Sequence, residues 1–136
     1  MKKALIAVVV SASLFAASQA QAQSSIACMY MLLRVYHAEL DYCRVALPKD
    51  REDRYSRIRA GMEQFIRANG KNDPEAMIKG VEDNNVKRAL AGLKSCRSDD
   101  FSLARQAMDQ LTTPANETMV RETLKIPRDP QQGSCG

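Results

Sequence analysis

His37 is the only histidine of the chain, and acid–base chemistry near neutral pH most often begins with that residue type. Catalysis by a Ser-His-acid or Cys-His arrangement needs an oriented imidazole beside a nucleophile. On a helix that begins near Cys28, His37 lies about 180° from that cysteine, on the side that holds Arg34, Asp41 and Arg44. We therefore expect His37 to be a solvated surface residue, and the sequence predicts no catalytic residue.

Glu39 is a carboxylate that falls within an apolar face. It lies about 20° from Cys28 on the same helix, between Val35 and Cys43. A buried carboxylate needs a partner or takes up a proton, and Arg54 of the second predicted helix could be that partner. A structural ion pair is the simplest interpretation. The alternative is a functional carboxylate in a small hydrolase or lyase, although no second acid is placed to form a glycosidase-type pair.

Arginine is concentrated on the second predicted helix, at positions 51, 54, 57, 59 and 67. Acidic residues are interleaved with these arginines, so a solvated face of mixed charge is the expected arrangement. Such a face could also bind an anionic partner, such as a phosphate, a polysaccharide or an acidic protein surface. The weak candidates for a binding surface lie on the polar side of the first two helices: Arg34, His37, Arg57 and Arg59.

The four cysteines stand at positions 28, 43, 96 and 135. An even number of cysteines in an exported chain predicts two disulfides. A structural zinc site is disfavoured, because zinc ligands usually come in pairs about two to four residues apart and the cysteines form no such pair. We therefore expect neither a metal nor a cofactor.

The N-terminus has the three zones of a cleavable signal peptide. Two lysines near the start are followed by an apolar stretch over residues 4–17, and residues 20–22 (Ala-Gln-Ala) fit the pattern of a cleavage site. We expect cleavage after Ala22 and a periplasmic or secreted location. The apolar stretch is shorter than the roughly 20 residues that a membrane span needs, so no membrane span is expected after cleavage.

Two further expectations concern the mature chain. Removal of residues 1–22 takes away two lysines and no acid, which leaves a nearly balanced charge and disfavours nucleic acid as a partner.

We expect a helical bundle over residues 23–126 and an irregular tail over residues 127–136, anchored through Cys135. A lipoprotein with Cys28 as the acylated residue is the alternative, but Ser25 stands where Leu or Val is expected.

Helix signals run along the whole mature chain and strand signals are absent, which predicts an all-α fold. We expect a small antiparallel bundle of four to five helices stapled by two disulfides. Asp73, Ser98 and Thr113 are the expected N-caps. The third helix has two possible forms, because Asn84 and its polar neighbours could break it. The expected helices cover residues 25–47, 49–69, 73–95, 99–111 and 113–125.

Helix geometry limits how the cysteines can pair. Cys28 and Cys43 would lie about 22 Å apart along one straight helix, whereas a disulfide needs Cα atoms within about 7 Å. If the third helix is continuous, antiparallel packing brings Cys96 beside Cys43 and the tail with Cys135 beside Cys28. The predicted bridges are therefore Cys43–Cys96 and Cys28–Cys135. A break at Asn84 would favour Cys28–Cys96 instead.

The sequence as a whole favours a small exported binding or interaction protein over an enzyme. It offers no plausible nucleophile–base pair, no phosphate-binding loop and no metal-ligand spacing. The expected partner is a protein or an anionic ligand in the cell envelope. The alternative function is a small carboxylate-dependent hydrolase or lyase.

The mass of the exported protein tests several of these expectations together. Protein purified from the periplasm of a bacterial host should begin at Gln23, carry no lipid and be lighter by the four hydrogens that two disulfides remove. Intact-mass spectrometry before and after reduction is the measurement. A chain that retains residues 1–22 would contradict the cleavage, and a mass unchanged by reduction would contradict the disulfides.

Overall fold

The computed structural model describes residues 24–135, which form an all-α bundle held by two disulfides, as predicted. No helix in this range is long and apolar enough to cross a membrane. The predicted signal peptide, residues 1–22, lies outside the described residues. The helices within residues 24–135 are α1 (Ile26–Tyr42), α2 (Lys49–Asn69), α3 (residues 74–92), α4 (Asp99–Leu111) and α5 (Pro114–Thr123).

Side-chain caps fix where the later helices begin. The Asp73 carboxylate accepts a hydrogen bond from the backbone N–H of Ala76 at 3.0 Å. The hydroxyls of Ser98 and Thr113 accept the corresponding bonds at the starts of α4 and α5. Each cap satisfies one of the N–H groups that a helix N-terminus leaves unpaired. The three predicted N-caps are confirmed.

α1 ends at Tyr42, so the predicted extension of this helix to Leu47 is wrong. Arg44 adopts a left-handed φ of 55°, and the N–H of Val45 donates to the carbonyl of Leu40 at 2.9 Å. This is the hydrogen bond of a Schellman motif, which glycine usually closes. Because Arg44 stands in the glycine position, the sequence carries no signal for this helix end.

α3 is continuous through Asn84, in three consecutive pieces: Pro74–Gly80, Val81–Val86 and Lys87–Gly92. The middle piece is a π-helix, a rare conformation that often accompanies functional sites. The apolar face of the sequence predicts this continuous form. The predicted end at Ser95 is wrong, because the helix ends at Gly92.

α1 is the central helix and packs against α2, α3 and α4. Its most deeply buried stripe consists of Ile26, Tyr30, Leu33 and Leu40, each at most 2% exposed. Their spacing of three, four or seven residues places them on one face of the helix. Cys28 and Glu39, each 7% exposed, lie on the opposite side of the helix, so α1 is covered on two faces.

The position of His37 corrects the expectation of a one-sided first helix. His37 lies on the same face as Tyr30 and Leu33 and is only 9% exposed, so the prediction of a solvated histidine is wrong. The physical reason is that α1 is covered on two opposite faces. The arc that holds Leu32 and Val35, which the sequence indicated as the buried one, is only half-buried.

Two disulfides hold α1 at its ends. Cys43 bonds Cys96 with Cα atoms 5.6 Å apart, and Cys28 bonds Cys135 with Cα atoms 5.4 Å apart. This is the connectivity that a continuous α3 predicts. The first bond ties the C-terminal end of α1 to the segment between α3 and α4, and the second ties its N-terminal turn to the end of the chain.

The segment that follows α5 lies against the N-terminal end of α1. The N–H of Ala27 donates to the carbonyl of Pro130 at 2.9 Å, and the Arg128 guanidinium donates to the carbonyl of Ser24 at 3.1 Å. Pro130 is fully buried. The anchor at Cys135 therefore acts together with backbone contacts that the sequence did not reveal.

Loss of the Cys43–Cys96 bridge should lower stability substantially. The bond joins residues 53 positions apart, and loop-closure entropy for such a length corresponds to about 4 kcal/mol. We expect the double variant Cys43→Ala, Cys96→Ala to lose about that free energy of unfolding, measured by urea denaturation followed by circular dichroism. An unchanged midpoint of unfolding would contradict this role of the bridge.

Candidate functional site

Polar side chains between α1, α2 and α3 form a continuous cluster, which we call the polar seam. Arg34 Nε donates to Glu82 Oε1 at 2.5 Å, and Arg34 Nη1 donates to the hydroxyl of Tyr55. Burial alone would lower the pKa of Arg34, but the bonds with Glu82 and Tyr55 outweigh burial and raise it. Arg34 therefore stays charged and links three helices. The polar seam consists of Arg34, His37, Glu52, Tyr55 and Glu82.

His37 is held inside the polar seam by three neighbours. Its ring stacks on Tyr55, with ring centroids 3.7 Å apart and planes within 4° of each other. Its Nε2 lies 3.0 Å from Glu52 Oε1, and its Nδ1 lies 3.4 Å from Asp41 Oδ2. Because both ring nitrogens face carboxylates of the same chain, His37 is placed to support the packing of α1 on α2.

The two binding candidates of α2 also have carboxylate partners. Arg57 makes a two-point contact with Glu117 of α5, at 2.7 and 3.1 Å. Arg59 Nε donates to Glu63 at 2.8 Å, and the hydroxyl of Tyr30 donates to the same carboxylate at 2.9 Å. Burial alone would raise the pKa of Glu63, but these bonds hold it below its usual range. All four predicted binding residues thus have carboxylate partners within the chain.

A groove opens on the opposite side of α1, between α1, α3 and α4, and we call it the Glu39 groove. Its volume is about 400 Å³, which lies within the usual range for small-molecule sites. A Cβ placed on Gly92 would meet no atom within 4 Å, so the groove is open at this point. Its walls are mostly apolar and are formed chiefly by Leu32, Val35, Tyr36, Ala89, Leu93 and Leu103.

Glu39 lines this groove with only 7% of the residue exposed, and its carboxylate has no hydrogen-bond partner among residues 24–135. Its oxygens keep some contact with solvent through the open groove. Burial raises the pKa of Glu39, and the negative charge of Asp100 raises it further. The predicted ion pair with Arg54 is wrong. Arg54 instead donates to Asp50 at 2.9 Å and to the carbonyl of Thr112 at 3.2 Å, because it faces the turn between α4 and α5.

The environment of Glu39 makes it the strongest candidate functional group. A charged group that loses much of its contact with water without gaining a partner is unfavourable, and Glu39 is such a group. A carboxylate with a raised pKa in a cleft can hold a cation or exchange a proton. The sequence pointed to Glu39 but not to the groove, because Ala89 and Gly92 come from α3 and Leu103 comes from α4.

The described part of the chain shows no arrangement typical of a metal site, a reactive thiol or a catalytic histidine in the groove. Residues 24–135 contain no group of three side chains arranged to hold a metal ion, and their cysteines are all in disulfides. His37 lies two positions before Glu39, which is about 160° away around α1. Within the described residues, the groove therefore presents its carboxylates without a histidine or a thiol beside them.

Comparison with known proteins finds no match among protein families, curated proteins or solved structures. The groove and the polar seam are therefore interpreted from their own geometry.

Replacement of Glu39 by glutamine should stabilise the protein near pH 7. A carboxyl group whose pKa is raised by folding opposes folding above the pKa of the unfolded chain, since the unfolded chain ionises more readily. We expect Glu39→Gln to raise the free energy of unfolding by about 0.5–2 kcal/mol, the usual range for stabilising substitutions. The gain should vanish near pH 3, where the carboxyl group is protonated in both states.

Urea denaturation at the two pH values measures this effect, with Glu122→Gln as the control. Glu122 is an exposed carboxylate of α5, so its substitution should leave stability nearly unchanged. A Glu39→Gln variant that is less stable than the parent protein near pH 7 would show that the ionised carboxylate is satisfied after all.

Proposed function

We propose that the protein is a small exported binding protein that holds a ligand in the Glu39 groove and does not transform it. The observation that carries this proposal is the unpartnered Glu39 carboxylate in an open and mostly apolar groove. Ligand sites are typically apolar clefts with a small number of polar groups that fix orientation. A buried charge that weakens folding is typical of a residue kept for function.

Export to the periplasm or out of the cell is proposed from the N-terminal sequence and from the disulfides. Residues 1–22 have the pattern of a cleavable signal peptide. Two disulfides are typical of proteins in oxidising compartments outside the cytoplasm. A partner in the cell envelope is consistent with both observations.

A carboxylate-dependent hydrolase or lyase is the second candidate, favoured by the raised pKa of Glu39 and by Asp100 beside it. Two carboxylates in one cleft are the usual equipment of glycosidases. Asp100 is a second acid near Glu39, which the sequence did not place there. Binding is still the better proposal, because the mostly apolar walls of the groove offer few polar groups that could orient a sugar. Recovery of a bound ligand unchanged after long incubation would support binding, whereas its conversion, lost in Glu39→Gln, would support an enzyme.

An anionic partner bound through α2 receives less support than a ligand in the groove. An anion at Arg57 would have to displace Glu117, and an anion at Arg59 would have to displace Glu63. Such a displacement replaces one charge-assisted contact by another and gains little.

An uncharged fluorescent dye should bind in the Glu39 groove, and a bulky side chain at Gly92 should block it. N-phenyl-naphthylamine is a suitable dye, since its fluorescence rises in apolar surroundings. The backbone of Gly92 has no positive φ, and a Cβ there meets no neighbour, so Gly92→Phe should fold normally. We expect this substitution to weaken dye binding by about tenfold or more, measured by fluorescence titration of the mature protein.

Ala91→Phe is the matched control, because it adds the same side chain one position earlier, on an exposed residue outside the groove. It should leave dye binding unchanged. Equal losses in both variants, or no binding of the dye by the parent protein, would contradict the proposed function.

A further inference from the structure

A second cavity adjoins the Glu39 groove and extends it toward α2 and α5, and we call it the apolar crevice. Its volume is about 180 Å³, and its walls are mostly apolar. The groove and the crevice share the side chains of Leu32 and Tyr36, so they meet along α1. Met29, Met62 and Val120 form the far wall of the crevice.

α4 forms one wall along both cavities. Asp100 and Leu103 line the groove, and Ala107 lines the crevice. Their spacing of three and four residues places these side chains on one side of α4. On α1, Glu39 and Leu32 are seven residues apart, which corresponds to about 10 Å along the helix axis. The groove and the crevice together therefore form a path along α1 that is acidic at Glu39 and apolar at Leu32, about 10 Å away.

We infer that the groove and the crevice together bind an organic ammonium ion with an apolar tail. The cationic head lies at Glu39 and Asp100, and the tail lies along Leu32 and Tyr36. This inference rests on the proposed function, because it names the ligand class of the same groove. An ammonium head gives the buried carboxylate the charged partner that the chain does not supply.

The charges around the groove favour a cation over an anion. An anionic head would face both Glu39 and Asp100, and like charges repel strongly where water is scarce. Arg88 is the cationic side chain among the residues that line the groove, and both Arg88 and Asp100 are exposed. Asp100, but not Arg88, acts on the pKa of Glu39, so the negative charge dominates at this carboxylate. An uncharged ligand would bury its tail but leave Glu39 without a partner.

The shape of the path favours a free amphiphile over a lysine side chain of a partner protein. In lysine the ammonium group ends the side chain, and the peptide backbone follows at the other end. With its head at Glu39, a bound peptide would bring backbone amides toward the apolar crevice, where they would lose their hydrogen bonds to water. An alkyl or aromatic tail meets no such penalty and buries apolar area instead.

Three ligands with the same tail and different heads test the inference: octylamine, octanol and octanoate. They are titrated below their micelle concentrations against dye bound to the mature protein with both disulfides intact. We expect octylamine to displace the dye at concentrations about tenfold lower than octanol, and octanoate to be the weakest. Glu39→Gln should remove most of the preference for octylamine over octanol, whereas Glu122→Gln should keep it.

Two further variants locate the head and the tail separately. Asp100→Asn removes the second carboxylate from an exposed residue, so it should fold normally and reduce the preference for octylamine in part. Ala107→Leu adds volume to the wall of the crevice and should weaken octylamine more than it weakens butylamine, whose tail is too short to enter. Thermal melts of each variant verify that folding is intact.

The outcomes separate this inference from the proposed function. If Gly92→Phe blocks the dye but the three head groups bind equally well, the groove binds ligands and the cation inference is wrong. A preference for octylamine that survives in both Glu39→Gln and Asp100→Asn would also overturn it. If neither the dye nor any of the three ligands binds, the proposed function itself fails.

Discussion

The enclosure of α1 by helices on two opposite sides is the constraint on which the rest of the structure depends. Short connections hold α2 and α3 near α1, but they do not by themselves keep α4 and the chain end against it. The disulfides Cys43–Cys96 and Cys28–Cys135 fix both ends of α1 to those later segments. By restricting the unfolded chain, the two bonds favour the compact arrangement that closes both faces of the helix.

Charged side chains are paired within the chain on one face of α1 and unpaired on the other. On the face turned toward α2 and the π-helical part of α3, Arg34 and His37 each meet a carboxylate within about 3 Å, and the polar seam is neutralised internally. Toward α3 and α4, Glu39 meets another acid, Asp100, and has no hydrogen-bond donor within residues 24–135. Folding normally pairs the charges that it buries, which is why the face with the unpaired carboxylate is the one proposed for a ligand.

Local rules predict much of this fold, and most of the failures involve contacts between helices. N-caps such as Asp73 depend on neighbours in sequence, and the disulfide pairing follows from helix length and direction. The burial of His37 depends on a second helix covering a face that also carries charged residues. The end of α1 depends on Arg44 in a glycine-type conformation. Glu39 was identifiable as an anomaly, but its groove required the placement of α3 and α4.

The polar seam and the Glu39 groove are connected through the π-helical turn of α3. In that turn backbone hydrogen bonds join residues five apart, which brings Val81 and Val86 closer to one face than an α-helix would, and each is 7% exposed. Glu82, within the same turn, is bonded to Arg34. A wider turn also rotates every later residue of the helix, including Gly92 at the open edge of the groove. The bond between Arg34 and Glu82 therefore joins α1 to the turn that precedes the groove wall of α3.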